Sequence, residues 1–158
     1  MMDEGDFKKL YAVHAKRLYN FIRWMTGKRS LSDDILQIVF VKVWQGAGAP
    51  GNDSECSAWL HRIARNACID HFRHTARLAE CNDAALPAAA ETNMDDGAQA
   101  WEEVAQLPSS ERAVVYFHIK MGYTYAEIGA MLGMTETNAR VTAFRALRRL
   151  REHLVRRP

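Results

Sequence analysis

The last third of the chain, Tyr123 to Arg151, constrains the fold most, because its punctuation admits one local architecture. Thr124-Tyr125-Ala126-Glu127 is a Thr-x-x-Glu capping box, which predicts a helix starting at Tyr125. Ile128, Met131 and Leu132 supply its apolar face. Gly133 falls where a left-handed residue is needed to end that helix and reverse the chain. Thr135 can then cap a second helix, in which Ala139, Ala143, Ala146, Leu147 and Leu150 recur at core-facing spacing. Arg140, Val141, Phe144, Arg145, Arg148 and Arg149 are left on the open side. Small residues on the buried side allow close helix packing, while guanidinium groups on the other side suit phosphates and guanine edges. The pattern is that of a helix-turn-helix with an arginine-rich second helix.

Charge is distributed in blocks. Residues 1–78 carry twelve Lys/Arg against eight Asp/Glu, and residues 107–158 carry nine against four. Between them, residues 79–106 hold seven acids and no Lys or Arg. Two basic blocks joined by an acidic connector imply two surfaces for a polyanion, separated by a segment that avoids one. The chain is 48% hydrophobic with four prolines and no long alternating pattern, so we read it as all-α. The expected organisation is two small helical domains, 1–78 and 101–158, joined by a flexible acidic linker, 79–100, rich in Ala and acids.

Several function classes find no support. No apolar run has the length of a membrane span and the start is acidic, so the chain is expected in the cytoplasm, without insertion into a membrane. Three cysteines without Cys-x-x-Cys spacing fit a reducing compartment. Cys68, His71, His74 and Cys81 form one metal-like grouping. The plainer reading makes Cys68 a small buried hydrophobe, with the histidines bordering a basic surface and no metal or cofactor bound. Nothing in the chain has the form of a catalytic triad, a P-loop or a paired-carboxylate site, so it is not read as an enzyme.

Three helices are expected before the connector. The first runs from Asp6 to Met25 with Phe7, Leu10, Tyr11, His14, Leu18, Phe21 and Ile22 inward, and Thr26-Gly27 ends it. Ser30 or Ser32 can cap the second, which reaches about Gln45. Leu31, Ile35, Leu36, Ile38, Val39, Phe40 and Val43 give it a wide apolar arc. The strip that remains holds Asp33, Asp34, Gln37 and Gln45, with Val41 inside it and Trp44 at its border. First-turn acids suit the helix dipole, but an exposed Val and Trp fit a protein-docking edge with an aromatic anchor. A Gly-, Pro- and Asn-rich loop, 46–54, leads to a third helix from about Ser57 to Arg77. Its apolar side includes Trp59, Leu60, Ile63 and Ala64, and Arg62, Arg65, Asn66, Arg73 and Arg77 lie elsewhere around it. Arginines at three- and four-residue steps track a phosphate backbone, and Asn66 with Trp59 could handle an unstacked base. After the connector, Trp101 to Leu107 forms a short helix and Pro108-Ser109-Ser110-Glu111 begins another.

In this order the motifs resemble the extracytoplasmic-function (group IV) sigma factors of bacterial RNA polymerase, from about Phe7 through Leu154. The resemblance rests on Leu10-Tyr11 and Arg17-Leu18, on the run from Ser32 through Trp44, on Ala58 through Arg73, and on Leu107-Pro108 through the helix-turn-helix. It implies a first domain that docks on the clamp helices of the polymerase β′ subunit and opens the minus-ten promoter element. It implies a second domain that reads the minus-thirty-five element and touches the β flap. Carried onto this sequence, Asp33, Asp34, Gln37, Val41 and Trp44 become the polymerase-binding candidates. Trp59, Arg62, Arg65, Asn66 and Arg73 become the minus-ten candidates. Thr137, Asn138, Arg140, Val141, Phe144, Arg145 and Arg148 become the minus-thirty-five candidates. The resemblance also implies an anti-sigma factor that covers the docking edges of the free protein. Ile38 stands where the family usually has Glu, and Thr142 and Leu147 where Arg is frequent. The alternative from the residues alone is a stand-alone helix-turn-helix transcriptional regulator.

Overall fold

The computed structural model describes residues 2–46, 48–82 and 103–156, whose regular segments are all helical. They fall into two compact units that divide between Thr92 and Asn93.

The first unit contains α1 (Glu4–Thr26), α2 (Arg29–Gln45) and α3 (Asp53–Asn82). Asp3 caps α1 by accepting the Gly5 N–H at 3.2 Å, and Gly27 closes it in the left-handed conformation with its N–H on the Arg23 carbonyl. Neither Ser30 nor Ser32 caps α2, whose N-cap residue is Lys28. Ser32 lies inside the helix, buried, where its hydroxyl donates to the Lys28 carbonyl at 2.6 Å and sits 2.9 Å from Thr26 Oγ1. The serine is taken up by the α1–α2 corner, which leaves it nothing for the helix end. α3 begins at Asp53, ahead of Ser57, because Asn52 Oδ1 accepts the Glu55 N–H at 2.7 Å. It also continues past Arg77 to Asn82, so the first four residues of the acidic connector are helical backbone. The rest of the connector, with the expectation that it is flexible, lies outside the described residues.

Leu18, Phe21 and Ile22 of α1 pack with Ile35, Val39 and Val43 of α2 and with Leu60, Ala64 and Cys68 of α3. His61 is in this core as well, at 0% exposure and 5.5 Å from the Phe21 ring. Its Nδ1–H donates to the Ser57 carbonyl at 2.7 Å. Burial pushes its pKa down to about 4; the Ser57 bond opposes this, while His14 and Arg17 add to the depression. His14, buried on α1, is lowered by burial too.

In the second unit, Val104 and Leu107 are buried beside a helical turn at 103–105, the described part of the short helix expected from Trp101. α4 (Ser109–Val115) runs on as a π-helical turn, Tyr116–Lys120, then come α5 (Tyr125–Leu132) and α6 (Glu136–Arg156). The capping box forms as read: Thr124 Oγ1 accepts the Glu127 N–H at 3.2 Å, and the Glu127 carboxylate receives the Thr124 N–H. Gly133 takes φ 70° and turns the chain, and Thr135 Oγ1 accepts the Asn138 N–H at the start of α6. Ala139, Ala143 and Ala146 are buried along α6, as their spacing predicts, but Leu147 is 41% exposed. α5 meets the turn so closely that a Cβ on Gly129 would lie 2.6 Å from the Met134 carbonyl oxygen. Arg149 reaches back to the buried Glu111 of α4 at 3.5 Å, which makes it a tie within the unit.

Two predictions concern these cores. Because His61 has a lower pKa folded than unfolded, the unfolded chain takes up protons first as pH falls. Stability is complete above about pH 6.5 and declines down to about pH 4, where the folded form also protonates. The loss from this site is on the order of 3 kcal/mol. Melting of the first unit across that range should show it, and His61→Gln should flatten the slope. Separately, Gly129→Ala should destabilise the second unit by about 1–3 kcal/mol in a denaturant titration, since backbone must move to admit the methyl.

Candidate polymerase and nucleic-acid interfaces

α1 and α2 together form an open groove of about 740 Å³, lined by Glu4, Phe7, Lys8, Tyr11, Leu36, Gln37, Phe40, Val41 and Trp44. Its floor is a ring cluster. Phe7 meets the Trp44 ring edge-on at 5.0 Å and the Phe40 ring at 5.9 Å, and Tyr11 lies 4.7 Å from Phe40. Three of the five residues singled out for docking, Gln37, Val41 and Trp44, thus line one groove. Val41 is 53% exposed on an otherwise apolar stretch, and the Trp44 ring is half-buried where Phe7 supports it. Asp33 and Asp34 are exposed in the turn before Gln37. Ile38, placed in the buried arc by its periodicity, is instead 47% exposed, so α2 keeps a second apolar side chain for solvent. Tyr11, read as core, is an exposed member of the groove wall. Phe7 and Tyr11 were missed as candidates because aromatic residues four apart on a helix satisfy the core pattern equally well. The signal available was their position opposite Trp44 in a two-helix hairpin.

α3 carries the second set. Arg62, Asn66 and Arg73 are exposed, and Trp59 and Arg65 are half-buried. Arg65 Nη1 donates to Asn66 Oδ1 at 3.3 Å, while its Nε is buried without a hydrogen-bond partner. Burial lowers the Arg65 pKa, and the charges of Arg73 and Arg62 lower it further. Arg62 and Arg73 both repel the Arg65 guanidinium, a repulsion that a polyanion along this face would offset. Trp59 stands inside α3, more than a turn beyond the end of the loop, because the helix begins at Asp53.

On the second unit the candidates stand along α6. Thr137, Asn138, Arg140, Val141, Phe144, Arg145 and Arg148 are all exposed, Phe144 at 65%. Val141, Phe144 and Leu147 floor a shallow hollow of about 520 Å³, rimmed by Arg145, Arg148 and Arg151. An apolar floor with a cationic rim suits thymine methyl groups flanked by phosphates. Arg148 and Arg140 are each held one turn along the helix, by Glu152 at 3.4 Å and by Glu136 at 3.2 Å. Thr142 is buried and its hydroxyl donates to the Asn138 carbonyl, so this position does not contribute to the open face.

Among the described residues no three His, Cys, Asp or Glu side chains gather as a metal site requires, and no helix is long and apolar enough to cross a membrane. Cys68 is fully buried. The side chain of Cys81 lies outside the described residues.

Both units match known proteins. The model of sigma-70 region 2 matches residues 10–78, and that of sigma-70 region 4 matches residues 98–150. The chain is 32% identical to RNA polymerase sigma factor CarQ of Myxococcus xanthus over 154 residues, covering 94% of this chain and 88% of that protein. It is also 32% identical to ECF RNA polymerase sigma factor SigM of Mycobacterium tuberculosis, covering 94% and 76%. Among solved structures, the fold is similar to sigma factor RpoE in complex with the anti-sigma factor NepR from Bartonella quintana. That likeness has a TM-score of 0.75 at 21% identity and covers 97% of this chain and 99% of that one. CnrH in complex with the cytosolic domain of CnrY gives 0.69 at 24% identity, with coverage of 96% and 89%. With its region 2 and region 4 matches in the order of its two helical units, this chain belongs to the sigma-70 family of RNA polymerase sigma factors.

Proposed function

We propose that the α1/α2 groove seats the polymerase, that the α3 arginines engage the opened minus-ten element, and that α6 reads the minus-thirty-five element. As a promoter-specificity subunit the protein binds core RNA polymerase and directs initiation; it works in the cytoplasm and does no chemistry of its own. Residues 1–78 then act as the polymerase-docking and minus-ten domain, 79–100 as the connector, and 101–158 as the minus-thirty-five domain. The observation that carries this reading over a stand-alone regulator is the groove. A regulator that only binds duplex has no use for an aromatic-floored cleft with Val41 and Gln37 open beside it. Asp33 and Asp34 supply charge-assisted contacts at its border, and Trp44, backed by Phe7, is the anchor. In the second domain Arg140 and Arg145 hydrogen-bond base edges, Phe144 and Val141 contact methyl groups, and Thr137, Asn138 and Arg148 hold phosphates.

An anti-sigma factor is part of this reading. The apolar side chains open on α2 and on α6 need cover when polymerase is absent, and the RpoE structure with this fold is a complex with an anti-sigma factor. Co-purification from uninduced cells is the direct test of such a partner.

The docking assignment predicts that Asp34→Ala weakens binding to core polymerase by about 1.5–3 kcal/mol while thermal melting is unchanged. An unchanged affinity in a pull-down titration would overturn it. For promoter selection, run-off transcription with purified core and a genomic promoter library should yield a discrete set of start sites. Arg145→Ala should flatten base preference in the upstream element alone, by about 1–3 kcal/mol at the affected pair.

A further inference from the structure

Arg140 differs from the other arginines of α6 in what holds it. Glu136 Oε1 lies 3.2 Å from its Nη2, and the centre of its guanidinium stands 5.6 Å from the centroid of the Tyr125 ring. The ion pair is exposed and lies within one helix, so on its own it restricts the side chain little. The ring comes from a different element, the first residue of α5, and gives a second point of attachment. Tyr125 is in turn fixed. The His118 ring stacks on it, with centroids 4.4 Å apart and planes 19° from parallel. His118 Nδ1–H donates to the Tyr123 carbonyl at 3.0 Å, which sets the imidazole plane. The π-helical turn Tyr116–Lys120 carries His118, and the Tyr123 N–H bonds to the Phe117 carbonyl at 2.9 Å, bringing the chain back over it. The order of support therefore runs from the π-turn through His118 and Tyr125 to Arg140.

We infer that Tyr125, backed by His118, is a positioning residue for promoter reading: it holds the Arg140 guanidinium in the orientation used on the base edge before DNA arrives. The inference rests on the assignment of α6 as the reading helix. A flexible arginine loses rotamer freedom when it docks on a base, and a guanidinium already stacked on a ring loses less. The consequence is specific. Tyr125 sets discrimination at the base pair that Arg140 reads and leaves the rest of the promoter, and polymerase docking, untouched.

The test uses holoenzyme reconstituted from the full chain and core polymerase. Its affinity is measured for duplexes carrying the selected upstream element and every single base-pair substitution of it. Arg140→Ala locates the pair that this arginine reads. Tyr125→Leu should reduce discrimination at that pair about fivefold, the size of a partly exposed cation–π contact, with other pairs unaffected. Tyr125→Phe should keep full discrimination because the ring remains. In the Arg140→Ala background, Tyr125→Leu should have no further effect. His118→Ala, which leaves the ring in place but unbraced, should give an intermediate loss of about twofold. Equal melting of each variant with the parent separates positioning from folding.

A uniform loss of affinity on all duplexes with Tyr125→Leu would overturn the inference, because it would mean a phosphate contact or a general structural role. Loss with Tyr125→Phe equal to that with Tyr125→Leu would overturn it too, since the hydroxyl would then be the active group. So would effects of Tyr125→Leu and Arg140→Ala that multiply independently. A parent holoenzyme with no base preference would instead sink the α6 assignment beneath it, an outcome distinct from a parent that discriminates and a Tyr125→Leu variant that discriminates equally well.

Discussion

The second unit depends on a seam of small side chains. α6 turns Ala139, Ala143 and Ala146 to the core, and each alanine buries one methyl group, about 0.8 kcal/mol of apolar transfer. Such a seam stabilises by closeness more than by area, and the turn beside it is as tight: the Met134 N–H bonds to the Gly129 carbonyl at 2.9 Å, and a Cβ on Gly129 would have no room against the Met134 carbonyl. Because the buried side of α6 is made of these alanines with Thr142 beside them, Val141, Phe144 and Leu147 are not consumed by the core and stay outside with the arginines. Orientation is secured from elsewhere, by the Gly133 turn, the Thr135 cap and the Arg149–Glu111 tie. A larger side chain at Ala143 would force the helices apart and swing the exposed row away from its present line.

The first unit solves a related problem with large core residues. α2 has Ile35, Val39 and Val43 on the inside and still carries Ile38 and Val41 outside, so it is apolar around most of its circumference. A helix of that kind needs a fixed neighbour, and the corner made by Thr26, Lys28 and Ser32 supplies it by joining α1 to α2 through buried hydroxyls. With α1 so placed, Phe7 and Tyr11 complete the groove that α2 alone could only edge. Arg62, Arg65 and Arg73 sit on α3, which contributes nothing to the groove lining, so the two candidate surfaces of this unit do not share residues.

Local rules were legible in the sequence and tertiary ones were less so. The capping box at Thr124, the Gly133 turn and the Gly27 stop depend on a few adjacent residues, and each forms where it was read. The misplacements share one cause. Periodicity assigns Tyr11, Ile38 and Leu147 to a core, but a helical period records only that a face is apolar, not whether its partner belongs to the same chain. All three face solvent. Ser32 was misread because a hydroxyl near a helix start resembles a cap until its buried neighbour Thr26 is seen. His61 and Gly129 left no signal, since their roles exist only once α1 lies against α3 and α5 against the turn before α6. Of the candidate site, the exposure of the polar and charged residues was legible from charge and spacing, whereas the aromatic wall from α1 needed the packing.

Exposed apolar floors occur on both units, and the charge around the two differs. Around the α6 hollow the charged side chains are Arg145, Arg148 and Arg151, and a cationic rim concentrates DNA while it discourages a basic protein surface. Beside the α1/α2 groove, Lys8 and Glu4 form an exposed ion pair at 2.8 Å, as Arg148 and Glu152 do beside the hollow. On α2 the exposed charges are mixed, Asp33 and Asp34 against Arg29 and Lys42, so this side lacks the one-sign rim of the α6 hollow. The apolar floors supply the part of the affinity that salt leaves unchanged, while the rims supply selectivity that salt screens. A chain that must hold a protein and a nucleic acid together gains from this division. Both surfaces are built on the same kind of exposed aromatic and aliphatic side chain, and of the two it is the α6 hollow that surrounds it with one sign of charge.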